Sequence, residues 1–213
     1  MTRHMLTRLM MAATLLLFAG TAFAQVQRSH QVPPPLDVPY PGTIIIHVDA
    51  SDTAQGIFRV HETIPVQTGK FTLLYPQWIP GGHSPGGPVA MLAGLKISAA
   101  GQRLDWTRDK YNVYAFHLDV PEGVTSLDVD FQYLSSRRNG SDEMTGRMLM
   151  LEWNNVSLYP AGHYSRDITF VPSVTLPHGW QFGTALEKTG QSQNSATGDT
   201  TTFKPVTFNT LVD

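Results

Sequence analysis

Leu127-Asp128-Val129-Asp130-Phe131-Gln132-Tyr133 sets an apolar side chain at every second position, with a polar one between each pair. Successive strand side chains point to opposite faces, so a period of two reads as a strand with one face in a core and one in water. The same reading extends outward along the chain. Residues 43–48 are rich in β-branched side chains. Residues 56–64 alternate, with Ile57, Arg59, His61 and Thr63 on one face and Phe58, Val60, Glu62 and Ile64 on the other. Residues 70–75 and 113–120 add two more strands. Leu95-Lys96-Ile97 and Leu104-Asp105-Trp106 flank residues 99–102, a hairpin whose Gly101 suits a turn needing φ > 0. Residues 148–153, 167–171, 180–184 and 200–204 complete the expected strands, and residues 190–199 read as a flexible tip between two of them. No window carries a long 3.6-residue apolar stripe; residues 89–95 offer one or two helical turns, ended by Gly94. Many short strands between Gly and Pro turns imply an all-β fold, an antiparallel β-sandwich or open-barrel-like domain with one or two short helical turns.

Toward the N-terminus the pattern changes. Arg3 and Arg8 accompany an apolar run over residues 9–19, and Ala22-Phe23-Ala24 gives an A-x-A cleavage pattern, so residues 1–24 read as a secretory signal peptide. The run falls short of the roughly 20 residues that a membrane span needs. The expected location is therefore periplasmic or extracellular, with no membrane attachment after cleavage. Residues 25–41, including Pro33-Pro34-Pro35, read as an extended, partly disordered lead-in, and residues 42–213 as the domain. The 213 residues include no cysteine, which excludes disulfides and thiolate metal sites. Stability must come from the core, and a chain of this size buries roughly 70% of its unfolded surface. A net charge of −2 with scattered basic residues argues against nucleic acid or an anionic membrane as partner. The doublet Arg137-Arg138 reads as a solvated loop.

Residues 75–88, Y-P-Q-W-I-P-G-G-H-S-P-G-G-P, hold four prolines and four glycines. Proline fixes φ and glycine permits φ > 0, so this is shaped loop. Gly82-His83-Ser84-Pro85-Gly86 matches the G-x-S-x-G of a hydrolase nucleophile elbow. In that elbow the residue after the serine supplies an oxyanion-hole N–H; here it is Pro85, which has none, and losing one such donor costs on the order of 10²- to 10³-fold in rate. The β/α alternation of that fold is also missing. Ser84 therefore reads as a turn residue. His61-Glu62 opens like H-E-x-x-H, but Pro65 stands where the second histidine belongs and the pattern is a strand's. No zinc site made from this chain is expected. His47, His61 and His117 read as partly buried or face-lining strand residues. His83 and His163 each follow a Pro-x-Gly unit, where a stiff loop can carry a side chain into a cleft; a surface turn is the plain reading of both. Neither Asp105 with Asp109 nor Asp128 with Asp130 compels acid–base chemistry. Trp78, Trp106, Trp153 and Trp180 sit in apolar strands or strand ends and read as core; exposed, they would suit sugar stacking.

F-T-L-L-Y-P-Q-W-I-P-G-G-H-S-P-G-G-P at residues 71–88, L-A-G-L-K-I-S-A-A-G-Q at 92–102 and L-D-W-T-R-D at 104–109 together resemble the N-terminal domain of the M61 peptidase family, the glycyl aminopeptidases. L-E-W-N-N-V-S-L-Y-P-A-G at 151–162 and T-L-V-D at 210–213 resemble the same domain, so the resemblance covers nearly all of the chain after the signal. It implies a three-part exported aminopeptidase that prefers small N-terminal residues such as glycine or alanine. The N-terminal β-domain is followed by a thermolysin-like zinc domain bearing H-E-x-x-H, and often by a PDZ domain. None of the family's zinc ligands carries onto a residue here. The expectation is a chain cut before its catalytic domain and inactive alone. Its partner would be the catalytic domain of the same polypeptide, peptide the substrate of the full protein, and zinc a cofactor of that other domain. Gly81, Gly82, His83 and Ser84 are the candidates for the wall of the substrate cleft. The alternative is a stand-alone exported β-sandwich that binds a glycan or a protein.

Overall fold

In a computed structural model, which describes residues 32–79, 81–135 and 144–213, the alternating stretches pair into two sheets. The signal-peptide reading of residues 1–24 and the Arg137-Arg138 reading lie outside the described residues. The strands are β1 (Thr43–Asp49), β2 (Ile57–Pro65), β3 (Gly69–Leu74), β4 (Leu92–Ala99), β5 (Gln102–Leu104), β6 (Trp106–Arg108) and β7 (Ala115–Val120). They continue with β8 (Ser126–Leu134), β9 (Tyr159–Pro160), β10 (Thr169–Leu176), β11 (Lys188–Asn194), β12 (Asp199–Phe203) and β13 (Val206–Thr207). One helix, α1 (Phe208–Val212), follows among the described residues, and the Thr207 hydroxyl caps it by accepting the Thr210 N–H. No described helix is long and apolar enough to cross a membrane.

Among the described residues the larger sheet runs β11-β12-β10-β1-β2-β8-β4-β5, with β13 also on β10; the smaller runs β6-β7-β3-β9. Inward residues of both, such as Ile46, Phe58 and Val129 from one and Leu73, Phe116 and Leu118 from the other, form one core. The result is sandwich-like, as the alternation implies. Between the described strands pairing is antiparallel except for β1 and β10, which run parallel. These two strands are far apart in sequence, so no hairpin dictates their direction. The hairpin of β4 and β5 turns at Ala100 and Gly101, with φ of 47° and 76°, the primed turn expected there.

Four expectations need correction. Residues 148–153 form no strand: a single bridge joins Met144 to Leu149, and a 3-10 turn follows over Trp153–Asn155. The buried polar side chains that follow bond locally instead of leaving the backbone to a ladder: Ser157 Oγ donates to Trp153 O, and Asn154 and Asn155 bond side chain to side chain. Residues 180–184 are irregular, and Phe182 packs edge-on against Phe203 from a loop. Part of the expected tip at 190–199 is strand, since β11 extends to Asn194 before Ser195 and Gly198 close the turn. β10 runs through Pro172 to Leu176; this proline, with no N–H to give, stands where β10 changes partner from β13 to β12. Residues 32–41 of the lead-in are bonded to the domain. The Leu36 N–H bonds Gly162 O and the Tyr40 N–H bonds Asp167 O, while the Tyr40 hydroxyl reaches Pro65 O.

Candidate functional site

The Pro/Gly loop is held almost wholly by backbone. The Gly82 N–H donates to Ile79 O at 2.9 Å, and the Gly87 N–H to Gln77 O at 3.1 Å. Gly87 is obligatory, because a Cβ there would lie 1.8 Å from Pro76 O. One side chain reaches in from outside: the Tyr114 hydroxyl donates to Pro85 O at 3.2 Å. Tyr114 belongs to the turn before β7, and that turn is anchored by a buried relay. His117 Nε2 lies 2.8 Å from Asp109 Oδ2, and His117 Nδ1 lies 2.9 Å from Thr72 Oγ1. Asp109 also accepts the N–H groups of Tyr111 and Asn112. The Asn112 N–H, then the His117 ring and the Tyr111 N–H, hold the Asp109 carboxyl down at about 2. This Thr–His–Asp row has triad-like spacing, yet Thr72 and His117 are both buried. It fastens a turn.

Gly81, Gly82, His83 and Ser84 are all exposed. Neither the His83 nor the Ser84 side chain has a hydrogen-bond partner among the described residues. No base stands beside Ser84, and the turn that follows is a 3-10 turn over Val89–Met91. His163 serves the fold. Its ring meets Tyr40 edge-on at 5.1 Å, and its Nδ1 lies 3.1 Å from Val38 O, so it seats the lead-in. His61 lies on the outer face of the larger sheet, 2.9 Å from Asp130. Among the described residues no three His, Asp, Glu or Cys side chains are grouped to hold a metal ion.

Next to the loop the surface is concave. A cleft of about 440 Å³ lies between Trp78, Tyr159 and Phe208. It shares Ile79, Asn154 and Val212 with a second cleft of about 350 Å³, which continues past Leu186 and Leu211. That one in turn shares Leu151, Trp153 and Thr184 with an apolar cleft of about 110 Å³ lined by Leu149, Phe182 and Phe203. The three form one trough whose middle carries two carboxylates, Glu152 and Asp213, and no basic residue. Trp78 is 64% exposed on its rim, which corrects its reading as core; Trp106, Trp153 and Trp180 do pack on the core.

The partition inside the trough is built from buried polar groups. Asn154 Nδ2 donates to Asn155 Oδ1 at 2.9 Å, and Asn155 Nδ2 to Glu152 Oε2 at 3.1 Å. The Tyr75 hydroxyl donates to Asn155 O at 3.0 Å, tying the start of the Pro/Gly loop to the partition. Glu62, on the inward face of β2, accepts the Leu158 N–H at 2.9 Å. Sequence reasoning placed Glu62 on the apolar face of its strand but drew nothing from it. It did not find Ile79, Asn154 or Leu211, because no motif marks a wall assembled from three distant segments.

Residues 45–213 match the Peptidase M61 N-terminal domain. The chain belongs to that family. Among curated proteins no match is found. This M61 N-terminal domain is similar to a solved aminopeptidase N family protein from Idiomarina loihiensis, at 18% identity and a TM-score of 0.63, over 80% of this chain and 28% of that one. It is also matched to an M1 zinc metallopeptidase from Deinococcus radiodurans, at 15% identity and a TM-score of 0.46, over 81% of this chain and 40% of that one. The M61 domain thus spans well under half the length of those proteins.

Proposed function

We propose that this chain is the non-catalytic N-terminal β-domain of an exported M61-like zinc aminopeptidase. The trough is its docking face for the catalytic domain, and residues 81–88 stand at the edge of that face and help wall the peptide cleft. The observation that carries the reading is the trough itself: three clefts that share lining residues run from the Pro/Gly loop along α1. Ligand sites and docking grooves are concave, with apolar walls and a few placed polar groups. Glu152 and Asp213 in the middle cleft favour a partner surface that brings a basic side chain. Export is supported by the pattern of residues 1–24.

Purified chain with zinc ion and glycyl-p-nitroanilide is expected to show no turnover. Hydrolysis abolished by a chelator would overturn the non-catalytic reading. The exposed Trp78 beside Tyr159 gives the glycan-binding alternative its one favourable observation. Saturable quenching of tryptophan fluorescence by an oligosaccharide, lost in Trp78→Ala, would decide for that alternative.

A further inference from the structure

Glu62 has no solvent exposure. Its Oε1 accepts the Leu158 N–H, while its Oε2 is buried with no hydrogen-bond partner. Nearly all buried polar atoms in folded proteins are paired, so this oxygen asks for an explanation. Level with Glu62 on the two neighbouring strands are Ile46 of β1 and Val129 of β8, both fully buried. The titratable groups on elements packed over this face are the phenols of Tyr75, Tyr133 and Tyr159, together with Glu152 at the outer end of the partition. His117 of the facing sheet is engaged by Asp109 and Thr72. His47, His61, Asp128 and Asp130 occupy the opposite faces of β1, β2 and β8.

Among the described residues no charged group compensates Glu62. Burial pushes its carboxyl well above the usual carboxylate range, and only the Leu158 N–H opposes that. An ionised carboxylate at this place would be an unpaired charge in the core, which folded proteins avoid by staying neutral or by opening. Opening would have to carry the segment it bonds, which is buried from Asn154 to Leu158. Residues 153–158 form no sheet ladder, and they include Asn154, the wall common to two clefts.

We propose that Glu62 is a proton-operated latch on residues 153–158. As the neutral acid it stays in the core beneath Leu158 and the Asn154 partition; when its proton passes to solvent, the buried charge outweighs its stronger bond to the Leu158 N–H, and the segment is released from the core. The latch stands whether or not the trough docks a partner. Its sign follows from linkage. The folded chain holds this proton more tightly than the unfolded chain, where a glutamate titrates near ~4.3. The stabilisation is complete below that value and is lost as pH rises toward the folded value, with the unfolding constant increasing up to tenfold per pH unit.

Amide hydrogen exchange of the whole chain and of its Glu62→Gln variant, between pH 5 and 9, tests this. Gln keeps the acceptor for Leu158 and cannot ionise. Protection factors at residues 156–158 are expected to fall with pH in the wild-type chain, up to tenfold per unit relative to the variant, while β1 and β8 stay protected. Parallel pH profiles in the two chains would overturn the latch. The carboxyl ¹³C shift of Glu62 in the wild-type chain decides the matter even if the variant does not fold: a protonated value at pH 6 is expected, and an ionised one overturns the proposal.

Discussion

Two loops meet at the trough, and they are held by opposite means. Residues 75–88 keep their shape through proline rings, glycine contacts and backbone bonds, with the side chains of His83 and Ser84 left in water. Residues 152–160 keep theirs through buried side chains: Asn154, Asn155 and Ser157 each bond within the segment, and Glu62 and Tyr75 bond it from outside. The first loop is restrained by the fixed φ of its prolines and by the close approach of Gly87 to Pro76 O. The second is rigid because breaking it strands polar groups in the core. The exposed side chains of the first, His83 and Ser84, can therefore change without disturbing the fold, which suits a surface that touches substrate or partner. On the second they cannot.

Three substitutions would break or sharpen this contrast. Gly87→Ala forces a methyl group into Pro76 O, so the backbone itself must move. A loss on the order of 4 kcal/mol, or failure to fold, is expected in urea unfolding; a loss below about 1 kcal/mol would show that the first loop does not depend on close backbone approach. Asn155→Ala removes the acceptor of Asn154 and the donor to Glu152. It is expected to cost about 2 kcal/mol in the same measurement, with faster proteolysis within residues 152–158. His83→Ala is expected to leave the stability of this chain within about 0.5 kcal/mol of wild type. In a peptidase that carries the catalytic domain, it is expected to lower kcat/KM for small N-terminal residues. Unchanged kcat/KM with unchanged stability would remove His83 from the cleft wall.

Much of the fold was legible. Residues 126–134 alternate so cleanly that β8 follows from the pleat alone, and β1, β2, β3, β4, β7 and β12 follow in the same way, whereas the strand expected at 104–106 is split between β5 of one sheet and β6 of the other. Where the reading failed, a local pattern had been overruled by something distant. Residues 148–153 look strand-like, yet the polar run after them must be satisfied by bonds that a sheet would forbid. Trp78 looks like core because its neighbours are apolar, yet the loop turns it onto a rim. The candidate site was legible at one end only. Pro and Gly mark the loop from residue types, whereas the trough takes Ile79, Asn154 and Leu211 from segments with no common spacing.

Sequence alone determined an all-β domain, its inward and outward faces and the shaped loop, because pleat period, proline and glycine act within a few residues. Tertiary structure decided the parallel seating of β10 on β1, the walls of the trough and the isolation of Glu62. Pairing direction is indifferent to alternation, and a cleft exists only once its walls meet. A glutamate's charge depends on whether distant atoms leave it water or a partner; around Glu62 they leave one N–H and no charge.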